Sequence, residues 1–209
     1  MKRKSNRRGR RQRGYRGLLW VLAAGLLLFG LIAQQNILLG TSSRHALLMD
    51  ARTGQVLARK RSGEEAAPAS LTKMMTVLLA NCTGLTSPEH YSSAADLAVL
   101  LQAALNNETF RTVFTTGQYT SSVTAQHPKG LYMASTLLSR LDGGEVTGGQ
   151  ILGGKTGYTD AAGLCLASLA VVNGKEYILV TLGAPGNHAT EQTNIMDAVQ
   201  VYRRLEKKK

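Results

Sequence analysis

The dipeptide Asn173-Gly174, set between two apolar runs, constrains the fold of this chain more than any other feature. Both central residues of a two-residue type I′ hairpin need positive φ, and Asn-Gly adopts it at low steric cost. The spacing predicts strands over Gly163 to Val172 and Glu176 to Leu182, paired antiparallel. A third strand, Gln150 to Thr156, comes after the glycine-rich turn at 143–149. Near the other end, His45 to Asp50 and Gln55 to Arg59 flank Ala51-Arg52-Thr53-Gly54 and read as a second hairpin. Between the two hairpins the pattern turns helical. From Ser70 to Ala80 a helix is apolar on nearly every face and needs cover on all sides. Ser92 to Leu105 is amphipathic, offering Leu97, Val99, Leu100, Leu101 and Leu105 to a core, and residues 107–115 add a short third helix. The stretch 117–124 is weakly strand-like, 131–141 reads as helix, and a last amphipathic helix runs from Thr190 to Glu206. These elements define an α+β fold, an antiparallel sheet flanked by helices, in one globular domain over residues 45–209.

Charge assigns the remainder. The net charge of +12 suggests nucleic acid until it is located: nine of the 25 Lys and Arg, and no acid, lie in residues 1–16, leaving +3 for the other 193 residues. That basic tail runs into an uncharged stretch at 17–33 containing Leu18, Leu19, Trp20, Val21, Leu26, Leu27, Leu28 and Phe29. Its length is at the lower limit of the roughly 17–25 residues that span a bilayer. A positive N-terminal flank stays in the cytoplasm and delivers the rest of the chain outside. The reading is a single-span anchor at the cell membrane with residues 45–209 extracytoplasmic, tethered by 34–44, and no nucleic-acid partner. A cleaved, secreted form is the alternative, since Gly40 and Ser42 make a tolerable small-x-small site. Cys82 and Cys165 read as buried thiols, with a bridge as the alternative in an oxidising compartment. His45, His90, His127 and His188 are too scattered for a zinc site, and no metal or cofactor is expected.

Two short motifs carry the chemistry. Ser70-Leu71-Thr72-Lys73 opens the apolar helix, and Lys155-Thr156-Gly157 lies in a glycine-flanked strand-like segment after Gly153-Gly154. Serine is a weak nucleophile until a neighbour takes its proton, and in Ser-x-x-Lys the two side chains stand one turn apart on one face. A lysine acts as base only while neutral, and burial or a second cation favours that form. Lys155 is the candidate for the second charge. Backbone N–H groups at the helix N-terminus can meet a developing oxyanion.

At these residues the chain resembles the penicillin-binding serine D-Ala-D-Ala carboxypeptidases (peptidase S11-like, within the DD-peptidase/β-lactamase superfamily). The similarity extends over most of 45–185, through Ala46 to Leu57, Ala67 to Thr76, Thr83-Gly84-Leu85, His90-Tyr91-Ser92 with Asp96, and Gly154 to Thr159. The resemblance implies a β-lactamase/transpeptidase-like fold and removal of the terminal D-Ala from peptidoglycan stem peptides, with β-lactams as acylating inhibitors. It makes Ser70 the acylated nucleophile and Lys73 its base. Lys155 and Thr156 would hold the peptide carboxylate, the N–H groups of Ser70 and Tyr158 would form the oxyanion hole, and the strand from Gly157 onward would pair with extended substrate.

The same resemblance requires a third element, a Ser-x-Asn on a helical subdomain between the two motifs. No Ser-x-Asn or Tyr-x-Asn occurs after Ser70. The expected scar is Ala80-Asn81, where the apolar helix runs into sequence that in the family comes after that subdomain, so the helical subdomain is read as truncated. Members of a catalytic group act as a unit, and losing one costs orders of magnitude in rate. Impaired turnover is therefore expected, with a non-catalytic peptidoglycan- or β-lactam-binding protein or a deletion fragment as alternatives. A class A β-lactamase is disfavoured because the Glu followed by Asn that such enzymes carry between the motifs is not visible.

Overall fold

A computed structural model of the protein describes residues 37–74, 90–141, 145–146 and 148–207, with the single positions Trp20 and Leu22. The chain divides into residues 1–39 and 40–209, and the second unit holds the sheet, the helices and both motifs. The expected anchor at 17–33, apart from Trp20 and Leu22, lies outside the described residues, as do the helix beyond Met74, the Ala80-Asn81 junction and Cys82. Among the described residues no helix is long and apolar enough to cross a membrane.

The order along the chain is β1 (His45–Asp50), β2 (Val56–Lys60), a 3-10 turn (Ala69–Met74), α1 (Ala94–Ala104), α2 (Glu108–Thr115), β3 (Gln118–Thr120), β4 (Tyr132–Ala134), β5 (Glu145–Val146), β6 (Gly149–Thr159), β7 (Gly163–Val172), β8 (Lys175–Ala184) and α3 (Thr193–Glu206). Six strands form one antiparallel sheet in the order β2-β1-β8-β7-β6-β5. Both expected hairpins form. Asn173 and Gly174 take φ of 50° and 74°, as a type I′ turn requires, and Val172 faces Lys175 across it. At the first hairpin the Asp50 carboxylate accepts from the Arg52 and Thr53 N–H groups and the Thr53 hydroxyl, folding the turn back on itself.

The long runs of β7 and β8 are buried on both faces because helices cover both sides of the sheet. Strand alternation sends Cys165, Ala167, Leu169, Ile178, Val180 and Leu182 to one face, where they pack with Leu47, Met49 and α1. On α1 the buried positions Ala94, Leu97, Ala98 and Leu101 make the i, i+3, i+4, i+7 stripe of a half-covered helix, while Val99 points to solvent. Ser93 caps this helix, its hydroxyl oxygen accepting from the Asp96 N–H at 3.1 Å. α3 covers the opposite face with Ile195, Ala198, Val201, Tyr202 and Leu205. There the buried Tyr202 hydroxyl reaches Ser168 Oγ at 3.0 Å, giving both polar groups a partner inside the core.

Away from the Ser70 turn, two segments differ from the sequence expectation. Residues 131–141 are not one helix: Tyr132–Ala134 pairs with Gln118–Thr120 in the register Tyr119 to Met133, and only Leu138–Arg140 makes a 3-10 turn. Helical periodicity here is overridden by pairing, because the weak strand at 118–120 offers backbone partners that hydrogen bonds from Ser121 N to Leu131 O and from Ser135 N to Gly117 O extend at both ends. The end of the tether segment is also part of the folded body. The Ser42 and Ser43 N–H groups and the Ser43 hydroxyl donate to the buried Asp197 carboxylate on α3, and Lys60 Nζ donates to Thr41 O.

Candidate active site

The turn that carries Ser70 is anchored from beneath. Ala69, Leu71, Thr72 and Met74 are buried, leaving Ser70 half-buried and Lys73 exposed. Where the sequence predicts an α-helix, the described residues make a 3-10 turn, closed by Leu71 N donating to Pro68 O and Thr72 Oγ1 donating to Ala69 O. With three residues per turn, positions i and i+3 eclipse, so Ser70 and Lys73 stand one above the other along the axis. Ala69 sits at φ +48°, a conformation that costs an L residue about 1–2 kcal/mol. Its burial at 1% exposure holds it there.

Strand β6 brings the second motif to this turn. A Cβ added at Gly157 would lie 2.9 Å from Ser70 N and 3.1 Å from Ala69 Cβ, so the strand backbone rests directly on the backbone of the serine. Four residues earlier, a Cβ at Gly153 would lie 2.2 Å from Phe114 O on α2. Glycine at both positions is what lets one strand lie against the serine turn and against α2. β5 pairs with β6 only through Gly149 and Gln150, and among the described residues no strand pairs with that edge of β6 further along.

Of the six residues singled out in sequence, Lys73, Lys155 and Thr156 line one cleft of about 680 Å³, and Gly157 touches the Ser70 backbone. Lys155 is half-buried, and its Nζ donates to Thr156 O. Burial first, and the nearby Lys73 charge second, hold its pKa below the ordinary lysine value of 10.5. Among the described residues neither lysine has an ion-pair partner. Tyr158 comes next on β6, its ring edge-on to His188 at 4.8 Å and its hydroxyl donating to Asp160 Oδ1 at 2.5 Å. The cleft is also lined by residues that the motifs do not single out, among them Phe110, Val113 and Phe114 on α2 and Met133 on β4. The i, i+3, i+4 spacing on α2 is the available signal, and in sequence it looks like an ordinary core stripe. Cys165 is a free, buried thiol whose pKa burial pushes up to about 11. Among the described residues no group of three or more His, Cys, Asp or Glu stands where it could hold a metal ion.

An antiparallel sheet with a Ser-x-x-Lys turn resting on a Lys-Thr-Gly edge strand defines the class, that of the penicillin-binding DD-peptidases and transpeptidases. The fold matches solved members of it: the D-alanyl-D-alanine carboxypeptidase of Mycobacterium tuberculosis H37Rv, with a TM-score of 0.62 and 16% identity over 78% of this chain and 90% of that one. Penicillin-binding protein D2 of Listeria monocytogenes, solved with cefotaxime bound, aligns with a TM-score of 0.62 and 17% identity over 79% of this chain and 98% of that one. The Streptomyces K15 DD-transpeptidase gives 0.61 and 17% over 78% and 96%. In sequence the chain is 33% identical over 121 residues to the D-alanyl-D-alanine carboxypeptidase DacF of Bacillus subtilis (strain 168), a match covering 56% of this chain and 29% of that relative. The family model for D-alanyl-D-alanine carboxypeptidase, peptidase S11, matches residues 32–81 and 77–186. The chain therefore belongs to the peptidase S11 D-alanyl-D-alanine carboxypeptidase family.

Proposed function

We propose that this protein is a serine-type D-Ala-D-Ala carboxypeptidase whose turnover is impaired, acting on the stem peptides of peptidoglycan through a Ser70 acyl-enzyme. Lys155 and Thr156 hold the terminal carboxylate, and the open edge of β6 aligns the extended peptide beside Ser70. Lys73 takes the hydroxyl proton as Ser70 Oγ attacks the penultimate D-Ala carbonyl, and the N–H groups of Ser70 and Tyr158 receive the oxyanion. The amide bond breaks, D-alanine leaves carrying a proton, and water then releases the ester. β-Lactams would acylate the same hydroxyl. The observation that carries this reading is the contact of Gly157 with the Ser70 backbone while Lys73 and Lys155 share one cleft.

The impairment is inferred from the missing Ser-x-Asn. The family model matches in two pieces that overlap at 77–81, which supports a block missing at Ala80-Asn81. Extracytoplasmic placement on a single span at 17–33 is part of the same proposal and rests on the basic residues 1–16 before an uncharged apolar run. The missing motif also favours a second reading, a non-catalytic protein that binds peptidoglycan peptides or β-lactams. D-Alanine release from an N-acylated D-Ala-D-Ala peptide separates the two. The expected result is slow release that Ser70→Ala abolishes; peptide binding without any Ser70-dependent release favours the binding protein.

A further inference from the structure

The cleft that Lys73 and Lys155 share mixes two kinds of surface. Both lysines are cations without an ion-pair partner among the described residues. The same cleft is lined by Phe110, Val113, Met133 and Met74, with Phe114 buried behind them in the core. Among the described residues that line it there is no carboxylate. Two of its hydroxyls are already committed to the backbone: Thr116 Oγ1 donates to Thr112 O at 2.6 Å, and Ser135 Oγ accepts from Leu138 N at 3.4 Å. The Thr112, Tyr119 and Thr136 hydroxyls add polar groups, and the rest of the lining offers positive charge and apolar surface.

Those features describe a ligand with two unlike ends. The cations call for an anion, since like charges brought together are relieved by an opposite one. A wall with Val113 71% and Met133 51% exposed leaves large apolar surface in water, and covering it is favourable in proportion to the area removed. A volume of about 680 Å³ falls within the range of roughly 300–1,000 Å³ typical of small-molecule sites. A charged group placed against Phe110, Val113 and Met133 loses hydration that these side chains cannot replace.

We propose that the cleft is a specificity site for an uncharged, apolar acyl group, aromatic or branched aliphatic, carried on the N-terminal side of a D-Ala-D-Ala carboxylate. The carboxylate sits at Lys155 and Thr156, and the acyl group covers Phe110, Val113 and Met133. This assignment rests on the reading of the site as one for D-Ala-D-Ala peptides and narrows it to donors whose neighbouring group bears no charge.

The test compares phenylacetyl-D-Ala-D-Ala with acetyl-D-Ala-D-Ala by isothermal titration on the full chain carrying Ser70→Ala, so that no turnover intervenes. The expected result is at least tenfold tighter binding of the phenylacetyl peptide. Adding Val113→Asp, at a position whose exposure spares the fold, is expected to bring that ratio close to one. Equal affinities in the Ser70→Ala chain, no binding of either peptide, or a ratio that Val113→Asp leaves intact would overturn the proposal. Failure of the enzymatic reading shows up separately, as a tenfold preference in a protein whose Ser70 form releases no D-alanine.

Discussion

A methyl group at position 157 has no room, because it would press on Ser70 N and Ala69 Cβ at once. The backbone of Ala69, already at positive φ, cannot yield without moving the serine. Gly157→Ala is therefore expected to cost about 1–3 kcal/mol of stability, as overpacking does. Its cost in acylation should be larger, about 10²-fold, because a shift of about 1 Å in the nucleophile suffices for that. Penicillin labelling rates and thermal melts of the same variant check both. Lys155 makes a second prediction, about pH. It must be protonated to hold a carboxylate, and its pKa in the fold lies below 10.5. Carboxylate binding should thus weaken with rising pH sooner than an ordinary lysine allows. The free protein behaves oppositely in stability: between the folded value and 10.5 the unfolded chain binds the extra proton, so stability gains with pH across that window. Affinity for a D-Ala-D-Ala peptide titrated from pH 7 to 10.5, against Lys155→Met, is the check; a profile that Lys155→Met leaves unaltered contradicts the assignment.

Elements whose signals are local can be read from the sequence. Asn173-Gly174 fixes its hairpin because only residues tolerant of positive φ fit both positions, and the two long strands extend from that turn. α1 likewise announces itself through its apolar stripe and through Ser93, whose oxygen caps the Asp96 N–H. Ser93→Ala is expected to lower stability by about 1 kcal/mol, measured by denaturant unfolding, with the strand signal unchanged. Residues 131–141 mislead because Tyr132–Ala134 owes its conformation to a partner strand, Gln118–Thr120, that no local pattern contains. The serine turn is half legible. Its buried residues are visible as an apolar run, but the contact it makes with Gly157 of β6 is carried by no local pattern. The apolar wall of the cleft is hidden for a related reason, since a stripe at 110, 113 and 114 reads the same whether it faces a core or a cavity.

Across the whole molecule, 85 residues separate Ser70 from Lys155 along the chain, and the sheet closes that distance. β6 sits beside β7 near one edge, so its outer side is left for the serine turn and α2 instead of another long strand. β6 lies against the backbone of Ser70 at Gly157 and against α2 at Gly153, where glycines let backbone approach backbone. The family match in two segments, 32–81 and 77–186, agrees with a chain that keeps this scaffold and lacks the third motif between its halves. On this account attack by Ser70 survives better than turnover does. The most direct measurement is the intact mass of the full chain after exposure to benzylpenicillin, with peptide mapping of the adduct. One penicilloyl group is expected on the peptide containing Ser70, absent in Ser70→Ala. An adduct on another residue, or none on folded protein, would contradict it.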